Sequence, residues 1–245
     1  MAIKAFDVEL IEAKMITPNV KHLVFKPADN SQFEFIPGQF ITFLFDSGEA
    51  KPKRRSYSVA TIPSESDKIE IAISYVEGGI ATKNLFGMNP GETYHVTGPA
   101  GRLVLRDEPV KRLILVGTGT GIAPYRAMLD EITEKMTNDA SLKVEIMLGV
   151  QYKKDALYAD DFLRFSQNHP NLNFTSFLSR ETEKLSDHEK KGYVQGGFDS
   201  LDLNPETDVV YLCGNPNMID DAYEILKEKG FDIKNVRREK YISSN

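Results

Sequence analysis

The chain has 245 residues, 41% hydrophobic and 27% charged, which is enough for two modest globular domains. Its net charge of −6 argues against the broad basic surface that nucleic-acid binding needs, and no apolar run approaches the roughly 20 residues of a bilayer-spanning helix. One cysteine, Cys213, excludes an internal disulfide framework and any four-cysteine metal or iron–sulfur site, and the four histidines are not paired at metal-ligand spacing. Residues 1–7 lack the apolar stretch of a secretory signal, so a cytoplasmic location is expected. With no protein-held metal expected, any enzymatic chemistry here falls to an organic cofactor.

Residues 1 to about 104 read as short β segments. Val20–Lys26, Phe40–Phe45, Ser56–Thr61, Lys68–Tyr75 and Thr93–Thr97 are rich in β-branched and aromatic residues and often alternate. Pro37-Gly38, Asn89-Pro90-Gly91 and Gly98-Pro99 punctuate them. Gly78-Gly79-Ile80-Ala81-Thr82 precedes a short helical stretch, Lys83–Phe86. Many short strands with turn signals predict a closed or nearly closed antiparallel barrel.

The pattern changes near Arg106-Asp107-Glu108-Pro109. Arg112–Gly117 is a continuous apolar run, as in a strand covered on both faces. A helix is predicted from there through Met136, with Ile122, Tyr125, Leu129 and Ile132 near helical spacing. Strand Leu142–Val150, helix Ala156–Ser166, strand Leu172–Leu178, strand Val209–Cys213, helix Asn217–Lys229 and the closing segment Lys234–Ile242 follow. Alternating β and α elements predict a parallel sheet. The expected organisation is a barrel over residues 1–106 and an α/β nucleotide-binding domain over residues 107–245.

The first apolar strand runs into Gly117-Thr118-Gly119-Thr120-Gly121-Ile122-Ala123-Pro124. Glycines let the backbone turn sharply and approach a pyrophosphate with no Cβ in the way. Free amides at the following helix start supply donors, and Pro124 fits a first turn where no donor is needed. The spacing is not G-x-G-x-x-G, so the motif alone does not establish a standard dinucleotide fold. The second strand ends in Leu148-Gly149-Val150-Gln151-Tyr152, without an acid for a ribose 2′-hydroxyl, and Lys153 and Lys154 follow. That absence favours NADP over NAD.

Taken together, five motifs in order resemble the ferredoxin–NADP⁺ reductase superfamily over nearly the whole chain. They are Phe35-Ile36-Pro37-Gly38-Gln39-Phe40, Arg55-Ser56-Tyr57-Ser58, Gly79 through Thr82, Gly117 through Pro124, and Cys213-Gly214-Asn215-Pro216-Asn217-Met218. The resemblance implies FAD in the barrel and NADP in the second domain. Arg55 would pair with the FAD pyrophosphate, Tyr57 would pack on the isoalloxazine, and Ser58 would bond near its N5, with Val59 beside them. Tyr75 and Val76 would touch the flavin or its ribityl chain, and Gly79, Ile80, Ala81 and Thr82 would form the phosphate loop.

By the same resemblance, Gly117, Thr118, Gly119, Thr120 and Gly121 would carry the nicotinamide nucleotide, with Cys213 and Gly214 beside the nicotinamide. Glu239-Lys240-Tyr241 is similar to the family's terminal Glu-x-aromatic, whose ring covers the flavin; here Ile242-Ser243-Ser244-Asn245 continue beyond it. The group expected at the reacting atoms is therefore Ser58, Cys213, Glu239 and Tyr241. Ser179-Arg180-Glu181 and Lys191-Gly192-Tyr193 resemble the site for 2′-phosphoadenosine, with Arg180 and Lys191 neutralising phosphate, Ser179 bonding to it and Tyr193 stacking on adenine.

The implied activity is that of an FAD-dependent ferredoxin– or flavodoxin–NADP⁺ reductase. Hydride would pass between NADPH and FAD, and single electrons to an acidic carrier met by Lys51, Lys53 and Arg54. A reductase serving an oxygenase or reducing free flavins is the alternative, and a flavin-binding module without turnover is a third reading. A monomer with neither nucleic-acid nor membrane partners is expected.

Overall fold

The computed structural model describes residues 3–241. Two compact units emerge. One holds the described residues through Leu105 together with Ala123–Met128; the other holds Arg106–Ile122 and the described residues from Leu129 onward.

The first unit contains β1 (Lys4–Thr17), β2 (Val20–Pro27), β3 (Phe40–Phe45), β4 (Lys53–Ser58), β5 (Ile69–Ser74), helix α1 (Ile80–Leu85) and β6 (Thr93–Ala100). These strands form one antiparallel sheet in the order β4-β3-β6-β1-β2-β5. Its two edges meet just past β4, where Val59 bridges Ile71 and Ala60 N donates to Glu70 O at 2.7 Å. The expected barrel is thus present, closed through a short seam. Inside it Val8, Leu10, Leu23, Phe25, Ile41, Phe43 and Val96 are fully buried. Tyr57 packs edge-on against Phe43, with ring centroids 5.9 Å apart, so the core fixes the strand that carries the Arg55–Ser58 motif.

Several boundaries differ from the sequence reading. The strand expected over Ser56–Thr61 begins at Lys53 and ends at Ser58, and the short helix starts at Ile80 rather than Lys83. Strand β1 was not expected. Phe6, Val8 and Leu10 alternate inward, but a register shift between Leu10 and Glu12 reverses the parity and blurs the period-two pattern.

Ala123–Met128, although it follows the glycine loop in sequence, belongs to this first unit. Arg126 on helix α2 (Ala123–Ala127) donates to Glu70 Oε2 at 2.7 Å and to Ala60 O at 2.6 Å, and all three side chains of the Arg126–Glu70–His22 group are largely buried.

In the second unit β7 (Arg112–Thr118), α3 (Leu129–Asn138), β8 (Lys143–Val150), α4 (Ala159–Asn168), β9 (Leu172–Leu178), β10 (Glu189–Lys191), β11 (Asp208–Gly214), α5 (Pro216–Glu228) and β12 (Val236–Lys240) follow in order. The sheet is wholly parallel, in the order β10-β9-β8-β7-β11-β12. Leu113 through Val116 are buried, as a strand covered on both faces requires. The helix expected to run on to Met136 is instead a 3₁₀ turn at Gly119–Ile122, then α2, then α3. Strand β10 escaped the sequence reading because Glu189-Lys190-Lys191 has no apolar signal.

From β7 the chain steps outward to β8, β9 and β10, then returns to β11 on the opposite side. Strand order therefore reverses between β7 and β11, which is where α/β sheets open a crevice for ligands. At the opposite ends of this pair, Asp208 Oδ2 receives Arg112 Nε at 3.1 Å and Nη2 at 2.6 Å, plus Asn204 N at 2.9 Å. Among the described residues no helix is long and apolar enough to cross a membrane.

Candidate functional site

Each unit carries one set of chemistry-bearing residues. In the barrel, Arg55, Ser56, Tyr57 and Ser58 lie on β4, paired with Phe43 through Phe40 of β3. Alternation puts Arg55 on the same face as Tyr57 and Ser58 on the other; Ser58 is 4% exposed, and Arg55 is half-buried with its Nη1 donating to Arg54 O at 2.8 Å. Burial pushes the Tyr57 hydroxyl up to about 12, with the Arg55 charge pulling the other way. Tyr57 is thus a neutral hydroxyl at physiological pH, fit to donate a hydrogen bond. Val59 is fully buried at the barrel seam.

Beyond β5 the chain turns through Gly78 at φ +70° into α1. Val76 N donates to the Thr82 hydroxyl oxygen at 2.9 Å, which leaves the Thr82 O–H proton itself available to an acceptor. The first helical bond is Lys83 N to Gly79 O, so the amides of Ile80, Ala81 and Thr82 precede any intrahelical partner. Tyr75 is 54% exposed and Val76 38%, unusual for large apolar side chains placed side by side. Phe86 supports Tyr75 edge-on at 5.5 Å. An apolar step beside a turn rich in free donors suits a flat ring joined to phosphate, so the residues present fit FAD.

The glycine loop of the second unit is shaped by backbone contact. A methyl group at Gly121 would meet Cys213 O and lie 2.7 Å from Gly214 Cα. At Gly214, φ +120°, it would lie 2.5 Å from Thr118 Oγ1 and 2.8 Å from Thr118 O. Asn215 N donates to Thr118 Oγ1 at 2.8 Å, stitching the end of β7 to the end of β11 across the point of reversal. Gly119 turns at φ +52° into open space, and Thr118 and Thr120 are partly exposed. Gly117 packs against Gly121 and Ile122. The Asn215 side chain caps α5 by accepting from Asn217 N at 2.9 Å. Thr118 and Asn215 were read in the sequence only as members of separate motifs; the bond between them was not, because it joins two strands far apart in the chain.

Cys213, Glu239 and Tyr241 also come together. Register pairs Cys213 with Glu239, and Tyr241 N donates to Gly214 O at 2.8 Å. Burial pushes the Cys213 thiol well up, the Glu239 carboxylate adds to that, and a hydrogen bond with the Tyr241 side chain works the other way. A buried thiol held protonated in this way is a poor nucleophile. At about pH 8, iodoacetamide should leave Cys213 unmodified in the folded protein and alkylate it fully after denaturation. Mass spectrometry reads this directly, and rapid labelling of folded protein would contradict it. The expected segment beyond Tyr241, Ile242 through Asn245, lies outside the described residues.

Ser179, Arg180, Lys191 and Tyr193 gather at the carboxyl ends of β9 and β10. Ser179 N and Arg180 N donate to Val150 O and Gln151 O at 3.0 and 2.9 Å, and Gly192 N donates to Leu178 O at 3.1 Å. Ser179 Oγ donates to Val150 O at 3.3 Å. Arg180 and Lys191 are exposed and have no ion-pair partner among the described residues; Tyr193 is 72% exposed. Tyr193 also borders a surface hollow of ≈ 620 Å³ with Gln195, Asp199 and Glu228. Lys153, unlike Arg180 and Lys191, has its charge paired. Its Nζ sits 3.1 Å from Glu189 Oε2 and donates to Lys184 O, while its amide donates to Glu181 Oε2 at 3.0 Å.

Comparison with known proteins agrees with this geometry. Residues 7–105 match the oxidoreductase FAD-binding domain and residues 115–224 the oxidoreductase NAD-binding domain. The chain is 30% identical over 250 residues to ferredoxin–NADP reductase B of Sorangium cellulosum, covering 96% of this chain and 97% of that one. It is 25% identical to the toluate 1,2-dioxygenase electron transfer component of Pseudomonas putida, covering 98% of this chain and 68% of the other. Its fold is similar to that of a ferredoxin NADP⁺ reductase from Neisseria gonorrhoeae solved with FAD and NADP, at TM-score 0.80 and 20% identity, covering 98% and 99%.

Proposed function

Because this chain belongs to the ferredoxin–NADP⁺ reductase superfamily, we propose that it draws reducing equivalents from NADPH and delivers them through FAD to a ferredoxin or flavodoxin. It is an NAD(P)H-dependent flavoprotein oxidoreductase with an FAD-binding and an NAD-binding domain. The observation that carries the reading is the backbone-lined turn at the strand reversal, where Gly121 and Gly214 leave no room for a side chain and Thr118 locks the two strand ends.

When bound, FAD supplies two-electron acceptance from a hydride donor and one-electron release to a carrier. The protein's own residues bind, orient and shield. Arg55 would hold the FAD pyrophosphate as a forked donor, and Gly79, Ile80, Ala81 and Thr82 would add amides and a hydroxyl proton. Tyr57, Tyr75 and Val76 would present apolar faces to the ring, and Ser58 would offer its hydroxyl near the hydride-accepting nitrogen. Gly117 through Gly121 would cradle the nicotinamide nucleotide's pyrophosphate, while Cys213, Gly214, Glu239 and Tyr241 would orient its ring. No general acid or base is needed, which fits a buried, protonated thiol.

The preference for NADPH rests on Arg180 and Lys191, two cations at adjacent strand ends with no ion-pair partner among the described residues, and on Tyr193 exposed beside them for adenine. Stopped-flow mixing with NADPH should bleach the bound flavin, and NADH should do so with a higher KM. Arg180→Ala is expected to raise KM for NADPH by about 10- to 30-fold while leaving that for NADH in place. Flavin that NADPH fails to bleach would sink the enzymatic reading; equal use of both nucleotides by the wild type would sink the preference.

A second reading, a reductase component serving an oxygenase, is favoured by the likeness to the toluate dioxygenase component. Cytochrome reduction that depends on added ferredoxin or flavodoxin separates the two readings.

A further inference from the structure

We propose that Lys153 and Glu189 form a positioning clamp that sets the preference for a 2′-phosphorylated nucleotide by fixing Lys191 relative to Arg180; the inference rests on the NADPH reading above. The two cations lie at the ends of β9 and β10, and the chain between them, residues 181–190, leaves the sheet and returns. Backbone pairing holds both ends to the sheet, through Ser179 N to Val150 O and Arg180 N to Gln151 O at one and the β9–β10 ladder with Gly192 N to Leu178 O at the other, while residues 182–187 between them lie outside the strands. Left untethered, such an excursion samples many conformations, and two like charges drive it apart.

Lys153, from the turn after β8, touches this excursion at three points. Its amide donates to Glu181 at the start, its Nζ donates to Lys184 O in the middle, and the same Nζ pairs with Glu189 next to Lys191 at the end. Both glutamates are buried and well supplied with donors. Glu181 also accepts from the amides of Thr182 and Glu183 at 2.8 and 3.1 Å, and Glu189 accepts from Ser186 N at 2.7 Å. The amides of Lys153, Glu183 and Thr182 hold the Glu181 carboxyl below its ordinary range. Burial works against ionisation of Glu189, yet the Ser186 amide and the Lys153 ammonium bring its carboxyl below that range as well.

A dianionic phosphate gains most from cations already held close together, because little ordering remains to be done on binding. NADH lacks that phosphate and gains nothing from the clamp. Lys153 thus acts through Arg180 and Lys191 without touching the nucleotide.

The test uses the full FAD-loaded chain. Lys153→Met and Glu189→Gln should each raise KM for NADPH about 3- to 10-fold, with kcat at saturation and KM for NADH unchanged. Calorimetric titration with 2′-AMP should weaken by the same factor, and Lys153→Arg should restore most of it. Variants that change both nucleotides equally, or neither, overturn the clamp, as does a Lys153→Arg chain that binds 2′-AMP no better than Lys153→Met. Wild-type protein that neither prefers NADPH nor binds 2′-AMP overturns the NADPH reading itself, and the clamp with it. Loss in the Lys153 and Glu189 variants alone cannot be mistaken for that result.

Discussion

Replacing Gly121 by alanine is expected to yield an FAD-loaded protein that NADPH can scarcely reduce. The added methyl would run into Cys213 O and approach Cys213 C and Gly214 Cα to 2.7 Å. These are backbone atoms of a central strand end, so no side chain can swing aside. The loop must move instead, by something near an ångström, and a displacement of that size at a reacting centre costs about 100-fold in rate. Stopped-flow bleaching by NADPH measures the loss, while bleaching by dithionite should be unaffected because the barrel is untouched. Gly119→Ala makes the contrast. Gly119 is at φ +52° with open space around it, so alanine there costs only the left-handed backbone, about 1–2 kcal/mol. If Gly121→Ala bleached as fast as the wild type, the turn could not be the nucleotide cradle.

The second large effect is on stability. Arg112→Met should lower it by about 3–5 kcal/mol, because Asp208 is 2% exposed and loses both guanidinium bonds. What remains for its carboxylate is chiefly the Asn204 amide. For a chain of this size the loss corresponds to a fall of roughly 6–20 °C in melting temperature. The double variant Arg112→Met/Asp208→Leu should be more stable than the single one, since no charge is then left buried. A single variant melting within about a degree of the wild type would show that the pair contributes nothing.

How far the sequence could be read depended on whether a signal was local. The glycine turn after β7, the Arg55–Ser58 motif and the continuous apolar β7 and β11 all carry their meaning in adjacent residues; β7 and β11 lie where the pattern predicted, and the motif lies on a strand that starts and ends three residues earlier than expected. β1 was hidden because its register shift reverses which side chains face inward. β10 was hidden because three charged residues form a strand only when the end of β9 is already there to pair with. The site divides in the same way. Glycines at 117, 119 and 121 could be read as a loop, but that Gly121 must be glycine follows only from its contact with Cys213, far along the chain. Lys153 reads in sequence only as a cation following the second strand, and the structure pairs it with Glu189. Pairings between distant residues leave no periodicity behind.

The borders of the parallel sheet bear on self-association. β10 is only three residues long, and β12 reads Val236-Arg237-Arg238-Glu239-Lys240. Arg238 lies over the Tyr223 ring at 3.7 Å and Lys240 pairs with Asp220 at 2.6 Å, so these charges are held by α5. A strand from another molecule would find one border too short to template it. At the other, four consecutive charged residues would have to be stripped of water and of their partners. Neither margin invites fibrous growth, so the segment bearing Glu239 can remain an outer strand without becoming a nucleus for aggregation.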